Sequence, residues 1–484
     1  MNNRMTTGIP GLDEILNGGV IRGHSYLLVG SAGTGKTIFS LQWLREGVRL
    51  GEKTLYITLS ESRENIAGNI ASFDWTLDGI EILDLSPAQA ELSENIEEYQ
   101  VFSPDEIEHS TVWEKIYQTI KEIKPHRLVI DAATNLHYLS QDEYQYRNHI
   151  LSFTTFLNTL KITSLLLFDS PEVKRETAIS LAADAIIELR MEISAGLMLG
   201  LRSLQISKLR GSDFLSGYHP LKFDEHGIHL YPHQIEMAGT AAISHKKISS
   251  GIAQLDELLG GGLDAGTTTI LSGPTGIGKT SLGIHFLKTE AIEGSKGILF
   301  TFEESVNSVI NRSCGINLDI QSLIKKDMIK IVRMNSMETY PDEFLARIRT
   351  AVEKDNYKLV MIDSLRGYQL AMSEFGSLLT HIHNLVTYLN RQGVSVLLID
   401  EVEALTGHMK VTEMGLSHLA DNILLLRYME HNGKIIKIIG CLKKRLSGFQ
   451  TELREMNITS KGISVDEKSA LHSRILTDNN TFAL

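Results

Sequence analysis

This 484-residue sequence lacks the features that mark several classes of protein. It has two cysteines, Cys314 and Cys441, with no Cys-x-x-Cys pair and no metal-ligand spacing, which suits a reducing interior. We expect both to be buried structural residues. No apolar run exceeds strand length, and residues 1–10 lack the apolar core of a signal peptide. We therefore expect no membrane span and a cytoplasmic protein.

Positive charge is also in deficit. Lysine and arginine number 47 against 59 aspartates and glutamates, which gives a formal net charge of −12. Binding to phosphate backbones requires a basic surface, so this balance argues against broad nucleic-acid binding, although it is compatible with a local basic channel.

What the sequence does contain is the phosphate-loop pattern G-x-x-x-x-G-K-[ST], in two copies. Each copy follows an apolar, strand-like run and opens a segment of helical character, predicted over residues 38–46 and 281–289. Glycines let backbone N–H groups surround phosphates, the lysine supplies positive charge, and the threonine binds Mg²⁺. The predicted ATP-binding residues are Gly30, Ser31, Ala32, Gly33, Thr34, Gly35, Lys36 and Thr37, and Gly273, Pro274, Thr275, Gly276, Ile277, Gly278, Lys279 and Thr280.

The two loops belong to a duplication of a whole domain. The segment T-G-I-P-G-L-D-E-I-L, which begins at Thr7, matches S-G-I-A-Q-L-D-E-L-L, which begins at Ser250. Lys36 and Lys279 are 243 residues apart, and other matched residues keep the same spacing. A period this long indicates tandem domains rather than a solenoid. We predict domains over residues 1–232 and 246–464, a linker over 233–245 and a short tail over 465–484.

Within each copy, strand-like runs alternate with amphipathic helices, which predicts an α/β fold with a mostly parallel sheet flanked by helices. The predicted parallel strands are 27–30, 54–59, 127–131 and 164–168 in the first copy, and 269–272, 297–302, 359–363 and 395–399 in the second. Antiparallel pairs are predicted at 184–191 with 201–208 and at 422–428 with 435–443. The acidic, weakly periodic region 82–110 predicts an irregular excursion.

Acidic residues stand at two matched places in each copy. Asp131 and Asp363 each close an apolar strand, which is the Walker B position for Mg²⁺ or its water shell. Glu61 and Glu304 follow the loop lysines by 25 residues, where a carboxylate can orient or deprotonate a nucleophile. The second copy has an additional carboxylate at Glu303. The first copy has Ser60 at that place.

A basic pair also occurs twice, as Lys208 with Arg210 and Lys443 with Arg445. Residues two apart on a strand end point the same way, so each pair could reach a phosphate on a neighbouring subunit. A plain cationic hairpin end would have the same spacing, and the spacing leaves both readings open.

Together these residues resemble the KaiC-type branch of the RecA-like ATPases over nearly the whole chain. The resemblance rests on the T-G-[IF]-x-x-L-D-x-[IL] opening, the glutamates after the second strand, the K-x-R-G strand and the closing L-R-E-M-N-I-T-S-K-G-I that begins at Leu453. It implies two tandem RecA-like P-loop domains in a homohexamer of two stacked rings, with ATP and Mg²⁺ at subunit interfaces. The first ring would hydrolyse ATP slowly, and the second would act as a serine/threonine autokinase and phosphatase.

The resemblance also implies residue roles. Lys36, Thr37, Lys279 and Thr280 match the phosphate and Mg²⁺ positions, and Glu61, Glu303 and Glu304 match the catalytic glutamates. The two basic pairs match groups that reach ATP across the interface. Ser417 matches the first phosphoacceptor, and Thr412 is a lesser candidate.

The sequence departs from the family pattern at three places. His418 replaces the second phosphoacceptor, so a two-site ordered cycle is not expected. Leu446 replaces the glycine of K-x-R-G in the second copy. The short polar tail argues against control by a KaiA-type activator, while a KaiB-like partner on the first ring stays compatible with the sequence.

Two other functions are weighed against an ATPase and autokinase that acts as a timing or stress-signalling switch. A RecA-like DNA motor or recombination mediator would need a basic nucleic-acid surface, which the composition does not favour. A nucleotide-gated hexameric scaffold with little turnover is supported for the first ring by the carboxylate missing at Ser60.

Overall fold

The computed structural model describes residues 3–73, 75–87, 111–140, 142–169, 177–193, 200–233, 246–335, 339–372, 378–402, 416–431 and 433–467. The chain divides into two compact units, Met1–Gln234 and Ile235–Leu484. Thr412, residues 88–110 of the predicted excursion, and most of the predicted linker and tail lie outside the described residues.

The first unit is built on a nine-stranded sheet with the order β11-β10-β9-β8-β3-β7-β6-β4-β5. Strands β3 to β8 run parallel to their neighbours within this set, and β9, β10 and β11 continue the sheet antiparallel. The strands are β1 Arg4–Met5, β2 Val20–Ile21, β3 Ser25–Gly30, β4 Thr54–Thr58, β5 Ile80–Asp84, β6 Arg127–Asp131, β7 Thr163–Phe168, β8 Ala185–Ile193, β9 Gly200–Leu209, β10 His219–Asp224 and β11 Gly227–Leu230. The helices are Leu12–Ile15, Lys36–Arg49, Arg63–Ile70, Thr111–Ile123, Glu143–Thr159 and Thr177–Ala182, with 3-10 turns at Ala71–Phe73 and Ala133–Leu139.

The second unit repeats this order as β16-β15-β17-β18-β14-β19-β20-β21-β22. Its strands are β12 Lys247–Ile248, β13 Leu263–Asp264, β14 Thr268–Gly273, β15 Gly297–Thr301, β16 Ile329–Arg333, β17 Leu359–Asp363, β18 Ser395–Glu401, β19 Asn422–His431, β20 Lys434–Lys444, β21 Arg454–Thr459 and β22 Gly462–Val465. Its helices are Ala253–Leu258, Lys279–Ile292, Val306–Gly315, Gln321–Lys325, Pro341–Glu353, Leu365–Met372 and Leu378–Arg391, with a 3-10 turn at Leu416–His418.

Each sheet is buried on both faces, because alternate residues of its strands enter different apolar clusters. In β3, Leu28 packs with the helix Lys36–Arg49, whereas Leu27 packs with the helices Thr111–Ile123 and Glu143–Thr159. In β14, Leu271 and Ile270 separate in the same way. Double-sided burial explains why these strands read as continuous apolar runs rather than alternating patterns.

The predicted fold class is confirmed: each unit is a mostly parallel, nine-stranded sheet flanked by helices. Two expectations were wrong. The start of the predicted excursion is strand β5, which pairs in parallel with β4, because hydrogen bonding along a sheet edge stabilises a run with weak apolar character. Cys314 is exposed on the helix Val306–Gly315, whereas Cys441 is buried in β20. In the described part of the chain, no helix combines the length and apolar character that crossing a membrane requires.

His285 makes the stability of the second unit sensitive to acid. Burial on the helix Lys279–Ile292 lowers its pKa to about 4, assisted by the charge of Lys288. The unfolded chain, with a pKa of about 6.5, therefore binds the proton more tightly. Stability is fully present above pH 6.5 and falls as the pH drops toward 4. The loss should be about 1–2 kcal/mol after allowance for partial solvent screening.

The matched variant is His285→Gln, because Gln42 occupies the corresponding position of the first copy. In urea titrations followed by far-ultraviolet circular dichroism, its stability advantage over the parent should grow as the pH falls from 7.5 to 4.5. Tryptophan fluorescence gives the internal control, since Trp43, Trp75 and Trp113 all lie in the first unit. A pH-independent difference between the two proteins would refute the assignment.

Candidate nucleotide sites

Both phosphate loops lie between the end of a central strand and the start of a helix. β3 leads through the first loop into Lys36–Arg49, and β14 leads through the second into Lys279–Ile292. The residue before each helix is a glycine with positive φ, 103° at Gly35 and 115° at Gly278. A Cβ on Gly35 would also lie 2.4 Å from Phe223 Cζ. Conformation and space both require glycine here, as expected of a loop whose backbone surrounds phosphates.

The loop lysines direct their amino groups into the loops. Lys36 Nζ donates to Gly30 O at 2.7 Å, and Lys279 Nζ donates to Gly273 O at the same distance. Burial lowers the pKa of Lys279, and the charge of Glu401 is the largest effect that opposes it. Each lysine therefore supplies a positive charge at the place where the sequence predicts bound phosphate.

The loop lysines also face carboxylates that the sequence reasoning missed. Lys36 Nζ is 2.9 Å from Asp169 Oδ1, just beyond the end of β7. In the second unit Glu401 ends β18 and pairs in register with Gly273. The signal was present in the sequence, because both acids follow apolar strand runs in the manner of the Walker B aspartates.

The predicted Mg²⁺ ligands of each site are brought together. Thr37 Oγ1 donates to Asp131 Oδ2 at 2.9 Å, and Thr280 Oγ1 donates to Asp363 Oδ2 at 2.6 Å. Burial raises the pKa of Asp363 to about 6, against the opposing hydrogen bond from Thr280. A cation would favour the charged form of such a buried carboxyl group.

The first aspartate has an additional hydroxyl donor. Tyr56 OH donates to Asp131 Oδ2 at 2.5 Å from within the buried strand β4. The matched position of the second copy is Leu299. Burial raises the pKa of Asp131, opposed by the hydrogen bonds from Tyr56 and Thr37.

Oxygen ligands of this kind suit Mg²⁺, which usually takes few protein ligands and completes its shell with water and phosphate oxygens. Among the described residues, no group of three or more His, Cys, Asp or Glu side chains could hold a metal ion by itself. The threonine–aspartate pairs therefore fit Mg²⁺ bound together with a nucleotide.

The glutamates after the second strand occupy the same place in both copies. Glu61 N and Glu304 N each donate to a threonine Oγ1 of the preceding strand at 3.2 Å, Thr58 and Thr301 respectively. The side chains differ in their partners. Glu61 Oε2 accepts from Asn69 Nδ2 at 2.8 Å, a residue that sequence reasoning missed.

The additional carboxylate of the second copy has a dedicated partner. Ser364, which is buried and directly follows Asp363, donates from Oγ to Glu303 Oε1 and accepts from Gly367 N at 3.1 Å. β4 and β6 pair Thr58 with Asp131 as β15 and β17 pair Thr301 with Asp363, so Ala132 matches Ser364. The first copy therefore lacks both members of this pair, with Ser60 and Ala132 at the two positions.

The basic pairs donate to main-chain carbonyls of their own unit. Lys208 Nζ lies 2.8 Å from Ser180 O, and Arg210 Nη2 lies 3.0 Å from Leu181 O. In the second unit, Lys443 Nζ lies 2.8 Å from Ser417 O, and Arg445 Nη2 lies 2.9 Å from His418 O. Both pairs thus bind the short segment that precedes strand β8 or β19.

The candidate phosphoacceptor Ser417 is half-buried in the 3-10 turn Leu416–His418. The strand registers make Ser180 its counterpart in the first unit, because Asp184 and Asp421 each follow four residues later and donate to matching strand residues, Ser25 and Thr268. The interface cation Lys443 and the candidate acceptor are therefore in direct contact.

Comparison with known proteins agrees with this geometry. The sequence profile of the family described as "ATPase: KaiC" matches residues 5–235 and 248–470. The chain belongs to the KaiC family of ATPases. The proposed resemblance is confirmed, and KaiC-family membership supports ATP binding and hydrolysis.

Several relatives carry the name circadian clock oscillator protein KaiC. The protein of Prochlorococcus marinus strain MIT 9313 is 27% identical over 491 residues, covering 98% of this chain and 95% of the relative. That of Synechococcus elongatus is 26% identical over 489 residues, covering 99% and 92%. That of Parathermosynechococcus lividus is 26% identical over 486 residues, covering 98% and 87%.

The Glu303–Ser364 pair predicts a functional difference between the two ATP sites. Ser364→Ala should lower ATP turnover at the second site about tenfold, since a hydrogen bond to a charged group contributes about 1.5–3 kcal/mol. Phosphate release should be measured in a Glu61→Gln background, in which the first site is disabled.

The variant introduces the residue that the first copy already has, so local misfolding is not expected. Ala132→Ser, assayed in a Glu304→Gln background, is the matched control and should leave first-site turnover unchanged. Unaltered turnover in Ser364→Ala would mean that the serine does not support Glu303.

Proposed function

We propose that this chain is an ATPase and serine autokinase that assembles as a homohexamer of two stacked rings and acts as a timing or stress-signalling switch. ATP would lie at subunit interfaces in both rings. The contact of Lys443 with Ser417 carries this proposal, because it joins the candidate phosphoacceptor to a cation of the predicted interface. Family membership and the two matched sites support ATP as the phosphoryl donor.

In the kinase reaction, Ser417 Oγ would attack the γ-phosphorus of ATP. The Oγ–P bond forms while the bond between the γ-phosphorus and the β–γ bridging oxygen breaks, which leaves ADP. Glu303 or Glu304 would accept the hydroxyl proton, and Lys279 would offset charge on the phosphates. Thr280 with Asp363, and Thr37 with Asp131, would hold Mg²⁺, which neutralises phosphate charge.

The first ring has a second candidate function. Because Ser60 and Ala132 replace the Glu303–Ser364 pair, its ATP would serve mainly to hold the hexamer together, with slow turnover through Glu61. A DNA motor is not favoured, given the net charge of −12.

The proposed partners follow from the sequence. A KaiB-like protein would bind the first ring, and control by a KaiA-type activator through the short tail is not expected. We also propose a cytoplasmic location. The absence of a second hydroxyl acceptor at His418 makes a single-site phosphorylation cycle the expected form of the switch.

The autokinase is tested by incubating the full chain with Mg-ATP and mapping phosphate by intact mass and peptide analysis. Phosphate is expected on Ser417 and should be lost in Ser417→Ala and in Glu304→Gln. Ser180→Ala is the matched control, because Ser180 accepts the corresponding lysine contact in the first unit, and it should retain the phosphate.

Sedimentation with ATP or ADP would measure the hexamer in the same samples. ATP hydrolysis without phosphoprotein would disprove the kinase. Hexamers that release no phosphate would instead favour the scaffold, and salt-dependent DNA binding would favour the motor.

A further inference from the structure

The carboxylate of Glu304 has a charged partner. Arg312 Nη1 donates to Glu304 Oε1, and Ser308 Oγ donates to Oε2 at 3.3 Å. Arg312 lies on the helix Val306–Gly315, which begins directly after Ser305 caps its N-terminus. The helix therefore sets the distance between the arginine and the glutamate.

The first copy solves the same problem with a neutral side chain. Arg312 and Asn69 are 243 residues apart, as are Glu304 and Glu61, and Asn69 Nδ2 donates to Glu61 Oε2 at 2.8 Å. Both copies thus hold this glutamate from the same helical position. Only the charge of the holding group differs.

An exposed ion pair ordinarily contributes little to stability. Two observations distinguish this one from such a pair. Its acidic partner is a candidate catalytic group that the duplication preserves. The positive charge of Arg312 also acts on the buried Asp363, where it opposes the rise in pKa that burial causes. Arg312 therefore belongs electrostatically to the second site.

We propose that Arg312 is a positioning residue of the second site, which fixes the carboxylate of Glu304 more tightly than Asn69 fixes that of Glu61. Charge-assisted hydrogen bonds are roughly twice as strong as neutral ones, so the second glutamate has less freedom to rotate. Small displacements of a group that orients a nucleophile are costly to rate. The pair itself makes and breaks no covalent bond. This inference rests on the proposed ATP turnover of the second site.

The test uses the full chain in a Glu61→Gln background and measures steady-state ATP hydrolysis by the second site. Arg312→Asn installs the residue of the first copy and should lower kcat about tenfold, while KM for ATP stays within about twofold. Arg312→Lys keeps the charge and should recover kcat to within about threefold of the parent. Arg312→Gln replaces Arg312→Asn if the latter fails to fold.

Arg347→Asn is the matched control, because it removes an arginine–glutamate pair, with Glu343 at 3.0 Å, from another helix of the same unit. It should leave kcat unchanged. Equal kcat in the parent and Arg312→Asn, or a loss in Arg312→Lys as large as in Arg312→Asn, overturns the inference alone. No phosphate release by the Glu61→Gln parent overturns the proposed function of the second site and this inference with it.

Discussion

The parallel register of the central strands is the constraint on which both candidate sites depend. β3 and β14 each lie between two parallel neighbours, so the carboxyl ends of several strands meet at the edge where the phosphate loop begins. This edge collects the loop lysine, the Walker B aspartate, the glutamate after the second strand and a further acid beside the loop. In open α/β sheets, ligands bind at this edge. A slip in register would separate all of these groups at once.

Duplication kept this framework and changed the chemistry within it. The strand order is the same in both units, yet Tyr56, Ser60, Asn69 and Ala132 of the first site stand opposite Leu299, Glu303, Arg312 and Ser364 of the second. These differences are coupled, since Glu303 and Ser364 contact one another and are replaced together. The buried strands bear the packing load, so side chains at their ends were free to diverge.

Much of the fold could be predicted from sequence because buried parallel strands and phosphate loops leave strong local signals. The central strands lie within a few residues of their predicted bounds, and the threonine–aspartate pairs meet as their motifs imply. Contacts between side chains distant in sequence could not be predicted in this way. Ser364 acquires a role only once β17 lies beside β15, and β5 is a strand because β4 supplies its hydrogen bonds. Arg312 and Asn69 were within reach of the 243-residue offset.

The lysine at the end of β20 has a limited number of hydrogen bonds to give. While the ammonium of Lys443 binds Ser417 O, it satisfies a backbone carbonyl next to the residue whose hydroxyl is the candidate nucleophile. If the same ammonium moves to an anion on another subunit, that carbonyl must find a new donor, because a half-buried acceptor without one is costly. Recruitment of the cation and release of the Ser417 turn are then two sides of one exchange of donors. Lys208 and Ser180 place the same exchange in the first unit, without the proposed phosphoryl acceptor.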